Sequence, residues 1–349
     1  MRRFTCTSLV LLTLLLAALT VAVTQFSEAQ TFKVLHSFGG PNDGVYPLAN
    51  LGFDSHENLF GTTMEGGYND CRGADGSGTV FELMPKANGT WSEAVIHEFS
   101  NSSNDGAFPE APVVPDNSGN LYGTTAGAGL GMGGLGTAFE LIPQPGGTWG
   151  EFPLLTFVDG PGGYSPVDGL TFDGSRQLFG TTAQGGSDSD DCLQFEGCGV
   201  VYELIRSAVL PSEIVIHTFT NPPDGTTPSG PLVLDGSGNL YGTTQSGGSG
   251  GDYPLGTVYK LSPNAGGSGW TETILHSFTG PSNGGPDGAL PYAGVIVDAA
   301  GNLYGTTVWG GASGAGTVFE VMPQPGGAWS ETVLYSFQGA RTERNRIAG

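Results

Sequence analysis

Four of the five histidines in this 349-residue sequence, His36, His97, His217 and His276, occupy one place in a repeating pattern. Each is followed by an Asp-Gly pair, at Asp43, Asp105, Asp224 and Asp287, with a proline four residues beyond the aspartate. A glutamate stands four residues before that place, or its substitute, in all five later copies, as Glu93, Glu151, Glu213, Glu272 and Glu331. Imidazole beside carboxylates is a donor set for metals and for acid–base catalysis. The pattern argues against both. Equivalent residues of successive repeats belong to separate units, and Leu155 and Tyr335 replace the histidine in two of them. Packing tolerates such exchange; a ring of metal ligands does not. Each glutamate lies about 13 Å from its own histidine along a strand rising roughly 3.3 Å per residue, beyond direct contact. A His–Asp contact pinning the turn between units accounts for the recurring pair. No metal site is expected here.

Other polar groups point no more firmly to catalysis. Glu82, Glu140, Glu203 and Glu320 recur, but Lys260 takes the equivalent place in the fourth unit, which suggests a solvated face. Ser187 to Asp191 is the one dense acidic run; calcium at Asp188, Asp190 and Asp191 is the only cofactor left open, although the spacing fits no defined calcium loop. No His-Glu-x-x-His motif or phosphate loop occurs.

These residues are positioned by a repeat. The box Leu-(Phe/Tyr)-Gly-Thr-Thr begins at Leu59, Leu121, Leu178, Leu240 and Leu303. A second box, Gly-Thr-Val-(Phe/Tyr)-Glu-Leu in its commonest form, begins at Gly78, Gly136, Gly199, Gly256 and Gly316. A third, typically His-Ser-Phe, ends at Phe38, Phe99, Phe157, Phe219, Phe278 and Phe337. A short apolar stretch ending in Asp precedes each first box, and Asp-x-x-Gly-Asn is turn chemistry. Each unit of about sixty residues therefore predicts four short strands, a to d. The expected fold class is all-β: a β-propeller of four-stranded blades, five complete blades plus one extra N-terminal strand at Lys33 to Phe38. Six third boxes against five of the others, with the non-repeat tail 340–349, suggest a larger propeller truncated or frame-shifted near Gly339. Strand d is expected to alternate, with Trp270, Glu272, Ile274, His276 and Phe278 on one side.

Composition supports this reading. Glycine makes up 61 residues, about 17% against a usual ~7%, and its periodic placement marks turns. Arg2, Arg3 and the apolar run Leu9 to Val23 read as a signal peptide over 1–29, cleaved near Ala29, leaving one propeller domain over 30–339. The run is too short to span a bilayer, so no membrane insertion of the mature chain is expected. The formal net charge of −22 repels phosphate backbones and excludes nucleic acid as a partner. In an oxidising compartment, Cys192 and Cys198 can close a small loop disulfide.

The Leu-Tyr-Gly-Thr-Thr and Gly-Thr-Val-Phe-Glu-Leu boxes, from Phe32 to Phe337, closely resemble the GloVer repeats of exported bacterial proteins, the choice-of-anchor tandem repeat group. NHL-like propeller repeats are similar more distantly, through Asp-x-x-Gly-Asn-(Ile/Leu)-Tyr. The resemblance implies export and repeat architecture but no activity. It implies a Cys pair before the second box, matched by Cys192 and Cys198; Cys71 faces Ser77 at the same offset and is an unpaired remnant. Members often end in an anchoring segment, which this sequence does not show.

With the repeated residues assigned to scaffold, function falls to the long b–c and d–a loops, which share one face. Trp309, Tyr253, Asp43, Asp105, Asp224 and Asp287 are the candidate ligand residues. The leading expectation is a secreted, extracellular or periplasmic, non-catalytic module recognising a glycan or a cell-surface protein. A polysaccharide-active glycosidase or lyase, and a structural envelope or matrix protein, are the alternatives. The sequence does not set the oligomeric state.

Overall fold

The computed structural model describes residues 32–339 except 40–41, 68–75, 101–104, 128–134, 174–176, 188–191, 193–196, 207–210, 221, 250–254, 268 and 281–286. Cys71, Tyr253, Asp188, Asp190, Asp191, the leader and the tail lie outside the described residues. The chain divides into two units, Met1–Ser37 and Phe38–Gly349. Of the first, residues 32–37 are described and carry no strand. The strand expected over Lys33 to Phe38 is therefore not formed: every other third box is held by strand c of its own blade.

The second unit is an all-β propeller-type array of five four-stranded antiparallel blades, each ordered a-b-c-d. Blade 4 has its strands at Gly225–Leu234, Leu240–Gly247, Thr257–Pro263 and Trp270–Ser277. The first boxes form strand b throughout, starting at Leu59, Leu121, Leu178, Leu240 and Leu303. Their glycine makes room for an aromatic ring: a Cβ on Gly123 would come 2.5 Å from the Phe139 ring, and one on Gly242 would come 2.4 Å from the Tyr259 hydroxyl. The Asp-x-x-Gly-Asn turns close as read, with Asp235 accepting hydrogen bonds from the Ser237 and Asn239 backbone N–H groups.

The cores lie between blades. The seam between blades 3 and 4 buries Phe179, Val201 and Phe219 of one against Leu232, Leu240, Tyr259 and Leu261 of the next. Phe219 meets Tyr259 edge-on at 5.2 Å, as Phe99 meets Phe139 and Phe278 meets Phe319. Threonines of strand b reach across: the hydroxyls of Thr62, Thr124 and Thr243 donate to the carbonyls of Ala111, Asp168 and Ala293. The residue before each strand-a proline adopts positive φ, at Tyr46, Phe108, Ser165, Thr227 and Leu290. In the last four, its N–H donates to the preceding blade, for example Phe108 to Ser77 and Leu290 to Leu255. The inter-blade bond holds a backbone conformation that non-glycine residues rarely take.

The forward face of blade 5 is different. Among the described residues nothing covers it: Phe337 is 42% exposed, whereas Phe99, Phe157, Phe219 and Phe278 are 3% or less.

Candidate functional site

Strand d does not keep a single alternation. In blade 4, Tyr259 pairs with Ile274 but Val258 pairs with His276, leaving Leu275 as a one-residue bulge. The same break separates Val80/Phe81, Val201/Tyr202 and Val318/Phe319 from their strand d partners. A bulge reverses the side on which following residues fall. Glu272 and Ile274 therefore face back to blade 3, whereas His276 and Phe278 face forward to blade 5. This corrects the one-sided alternation expected from the sequence.

The reversal creates contacts the sequence reading excluded. Glu151, Glu272 and Glu331 each meet the histidine of the preceding blade. His97, Asp105 and Glu151 meet across blades 1 and 2; His217, Asp224 and Glu272 across blades 3 and 4; His276, Asp287 and Glu331 across blades 4 and 5. In each cluster one donor atom per residue lies within 4.8 Å of the others. The expected His–Asp contact is present, with His97 Nε2 at 2.7 Å from Asp105 Oδ1 and His276 Nε2 at 3.3 Å from Asp287 Oδ1. His217 Nε2 lies 3.4 Å from Asp224 Oδ2 and 3.5 Å from Glu272 Oε1.

The aspartates are fixed by backbone. Ser100, Thr220 and Thr279 donate their N–H groups to Asp105, Asp224 and Asp287 at 2.5, 3.1 and 2.6 Å. Burial pushes the Asp105 carboxyl up, yet hydrogen bonds from His97 and Ser100 outweigh it and hold it below the usual range. Among the described residues, one buried oxygen each of Glu151, Glu272 and Glu331 has no hydrogen bond. Burial, then the Asp105 charge, pushes Glu151 up to about 7. Burial, then the Asp224 charge, raises Glu272.

The seam between blades 2 and 3 is a natural control. Leu155 stands in the histidine place and Gly162 in the aspartate place, so both partners are missing together. Glu213 remains, and a Cβ on Gly162 would lie 2.7 Å from its Oε2, which confirms the register. Burial alone pushes Glu213 up to about 7. The folded chain thus holds this proton between pH 4.5 and 7, where the unfolded chain releases it. That stabilisation is complete below pH 4.5 and is lost as pH rises to 7. Glu213→Gln is expected to stabilise the chain by on the order of 1–2 kcal/mol at pH 8, discounted for residual solvent, and hardly at pH 4. Thermal melts at the two pH values check this; a larger gain at pH 4 would contradict it.

Strand c glutamates are also less solvated than their Lys260 exchange suggested. Glu140 is buried, accepting the Tyr122 hydroxyl at 2.6 Å and Arg206 Nη2 at 2.9 Å from the next blade. Asp168, pushed up to about 7 by burial, accepts the Gly230 N–H at 2.7 Å and the Thr181 hydroxyl at 3.2 Å. Its Oδ1 thus joins blade 3 to blade 4, while its Oδ2 is held within blade 3.

The predicted ligand residues do not assemble in one place. Asp105, Asp224 and Asp287 belong to three separate seams. Trp309 is 62% exposed on a two-residue strand, Trp309–Gly310, paired with Gly288–Ala289. Asp43 lines a cleft of about 690 Å³ with Phe38, Asn42, Tyr46 and Glu65, and Tyr46 is 58% exposed. Tyr46 was missed because its aromatic character recurs only at Phe108: the other equivalent places hold Ser165, Thr227 and Leu290. The Cys192–Cys198 disulfide is formed and fully buried beside Phe219 in the blade 3–4 core.

The Gloeobacter/Verrucomicrobia repeat matches residues 22–192 and, overlapping them, 131–348. No curated protein matches the chain. Among solved structures, PorZ, a surface component of the type-IX secretion system of Porphyromonas gingivalis, is 16% identical with a TM-score of 0.44. That similarity covers 86% of this chain and 35% of PorZ, so the chain spans about a third of that protein. The periplasmic gluconolactonase PpgL of Pseudomonas aeruginosa is 12% identical with a TM-score of 0.43, over 83% of this chain and 84% of that one. An endo-arabinanase of Bacillus licheniformis is 12% identical with a TM-score of 0.39, over 84% and 99%.

Proposed function

The chain belongs to the Gloeobacter/Verrucomicrobia repeat family, and from that premise we propose that it is an exported, non-catalytic binding module that recognises an extracellular glycan through its loop face. The observation carrying this reading is the cleft of about 690 Å³ between the d–a and b–c loops of blade 1. Its exposed Tyr46 ring offers a stacking surface, while Asp43, Asn42 and Glu65 offer acceptors for sugar hydroxyls. An aromatic face with a few convergent polar groups is what a saccharide site needs. The exposed Trp309 of blade 5 supplies a second stacking surface of the same kind. The carboxyls that burial raises furthest, Asp168 and Glu272, and after them Glu151 and Glu213, lie within or between blades rather than at this cleft. That distribution favours binding over acid–base cleavage.

A glycan array probed with the mature chain tests the proposal. Binding to at least one glycan class is expected, with a loss of tenfold or more on Tyr46→Ala or Trp309→Ala, since one aromatic contact contributes about 1.4 kcal/mol. An array without binding, or release of reducing ends from a bound polysaccharide, would overturn it.

A further inference from the structure

The His–Asp–Glu seams have a donor set, a geometry and a natural control that together go beyond a scaffold role. His217 Nε2 is buried and makes no hydrogen bond, and so is Glu272 Oε1. Their 3.5 Å separation, and the 3.4 Å from His217 to Asp224, exceed the roughly 2.7–3.2 Å of a hydrogen bond. They match the edge of a tetrahedron whose bonds are about 2.0–2.1 Å, which is roughly 3.4 Å. We propose that the seam formed by His217, Asp224 and Glu272 binds a divalent cation of the zinc class, and that the seams formed by His97, Asp105 and Glu151 and by His276, Asp287 and Glu331 do so by exchanging their His–Asp hydrogen bonds of 2.7 and 3.3 Å for the ion.

Imidazole selects this class over calcium or magnesium, which take oxygen ligands. Two carboxylates and one neutral imidazole leave a charge that a divalent ion offsets, in a chain of formal net charge −22. The backbone N–H groups of Ser100, Thr220 and Thr279 orient the aspartates, as outer partners of metal ligands do. Glu151 and Glu331 also keep one buried oxygen without a hydrogen bond. Three protein ligands leave a fourth position to water. Each ion would join strand d and the d–a loop of one blade to strand d of the next, clamping the outer edge of the seam. Replacement of the histidine and the aspartate together, by Leu155 and Gly162, fits a site that is useless with one ligand absent.

The mature chain, stripped with EDTA and equilibrated with micromolar zinc chloride, is assayed for bound zinc by elemental mass spectrometry. His217→Ala and the nearly isosteric Glu272→Gln are each expected to lose one zinc per chain. Leu155→His combined with Gly162→Asp is expected to gain one, because Glu213 already occupies the third position. Cobalt chloride should give intense visible bands of four-coordinate cobalt, reduced in the two loss variants. Zinc content unchanged across all variants, or no uptake by the stripped chain, would overturn the proposal. The gain variant keeps the test decisive even if a loss variant misfolds.

Discussion

Gly230→Ala is expected to destabilise the chain by more than about 4 kcal/mol, at the exceptional end of single substitutions. Gly230 has a φ of +76°, and a Cβ placed there would lie 1.7 Å from the Gly294 backbone nitrogen and 2.4 Å from the Ala293 carbonyl carbon. Neither neighbour is a side chain that can swing aside. Gly294 is equally confined, with a Cβ position 2.4 Å from the Pro231 oxygen. The strand a backbones of blades 4 and 5 would have to separate. That shift would also disturb the Gly230 N–H bond to Asp168 and the Ser229 hydroxyl bond to Pro291. Chemical denaturation of the mature chain checks this; a change within 1 kcal/mol would show that the close approach is not a structural requirement.

Phe219→Ala is expected to cost about 3–5 kcal/mol, the range for emptying a buried aromatic site. The ring is fully buried, edge-on to Tyr259 at 5.2 Å and to His217 at 4.6 Å, and packed beside the Cys192–Cys198 bridge. Its counterpart in the last blade supplies the control. Phe337 has the same place in the repeat but little above it, so Phe337→Ala is expected to cost under about 1 kcal/mol. Equal losses from the two substitutions would mean that burial between blades is not what stabilises this position. Unfolding of both variants by urea makes the comparison.

Strands b and c were legible because their signals are local. Leu-Tyr-Gly-Thr-Thr and Gly-Thr-Val-Phe-Glu-Leu have β-branched and aromatic residues between obligatory turns, and each lies in a ladder where the boxes fall. Strand a was legible only as an apolar stretch; in blades 1, 2, 3 and 5 its ladder is two residues long. The positive-φ corners were not legible at all. Tyr46, Phe108, Ser165, Thr227 and Leu290 carry no local mark of that conformation, and the bonds that hold the last four come from the neighbouring blade.

The seam clusters fell between these cases. Their residues were visible as a repeat, and so was the His–Asp contact. The glutamate was set apart from the histidine because distance was measured along one strand. The bulge at Leu275 and its equivalents turns Glu and His to opposite sides, making partners of residues about 55 positions apart in sequence. No alternation rule applied within a single strand shows this; a pairing of each unit with the next would have.

Stability resides in the seams and recognition in the loop aromatics, and one titration separates them. The best glycan from the array is titrated calorimetrically into wild type, Tyr46→Ala, Trp309→Ala and His217→Ala. At least one aromatic variant should weaken binding tenfold or more with an unchanged melting temperature, while His217→Ala should bind as wild type does. Full binding by both aromatic variants, with binding lost in His217→Ala, would contradict that division.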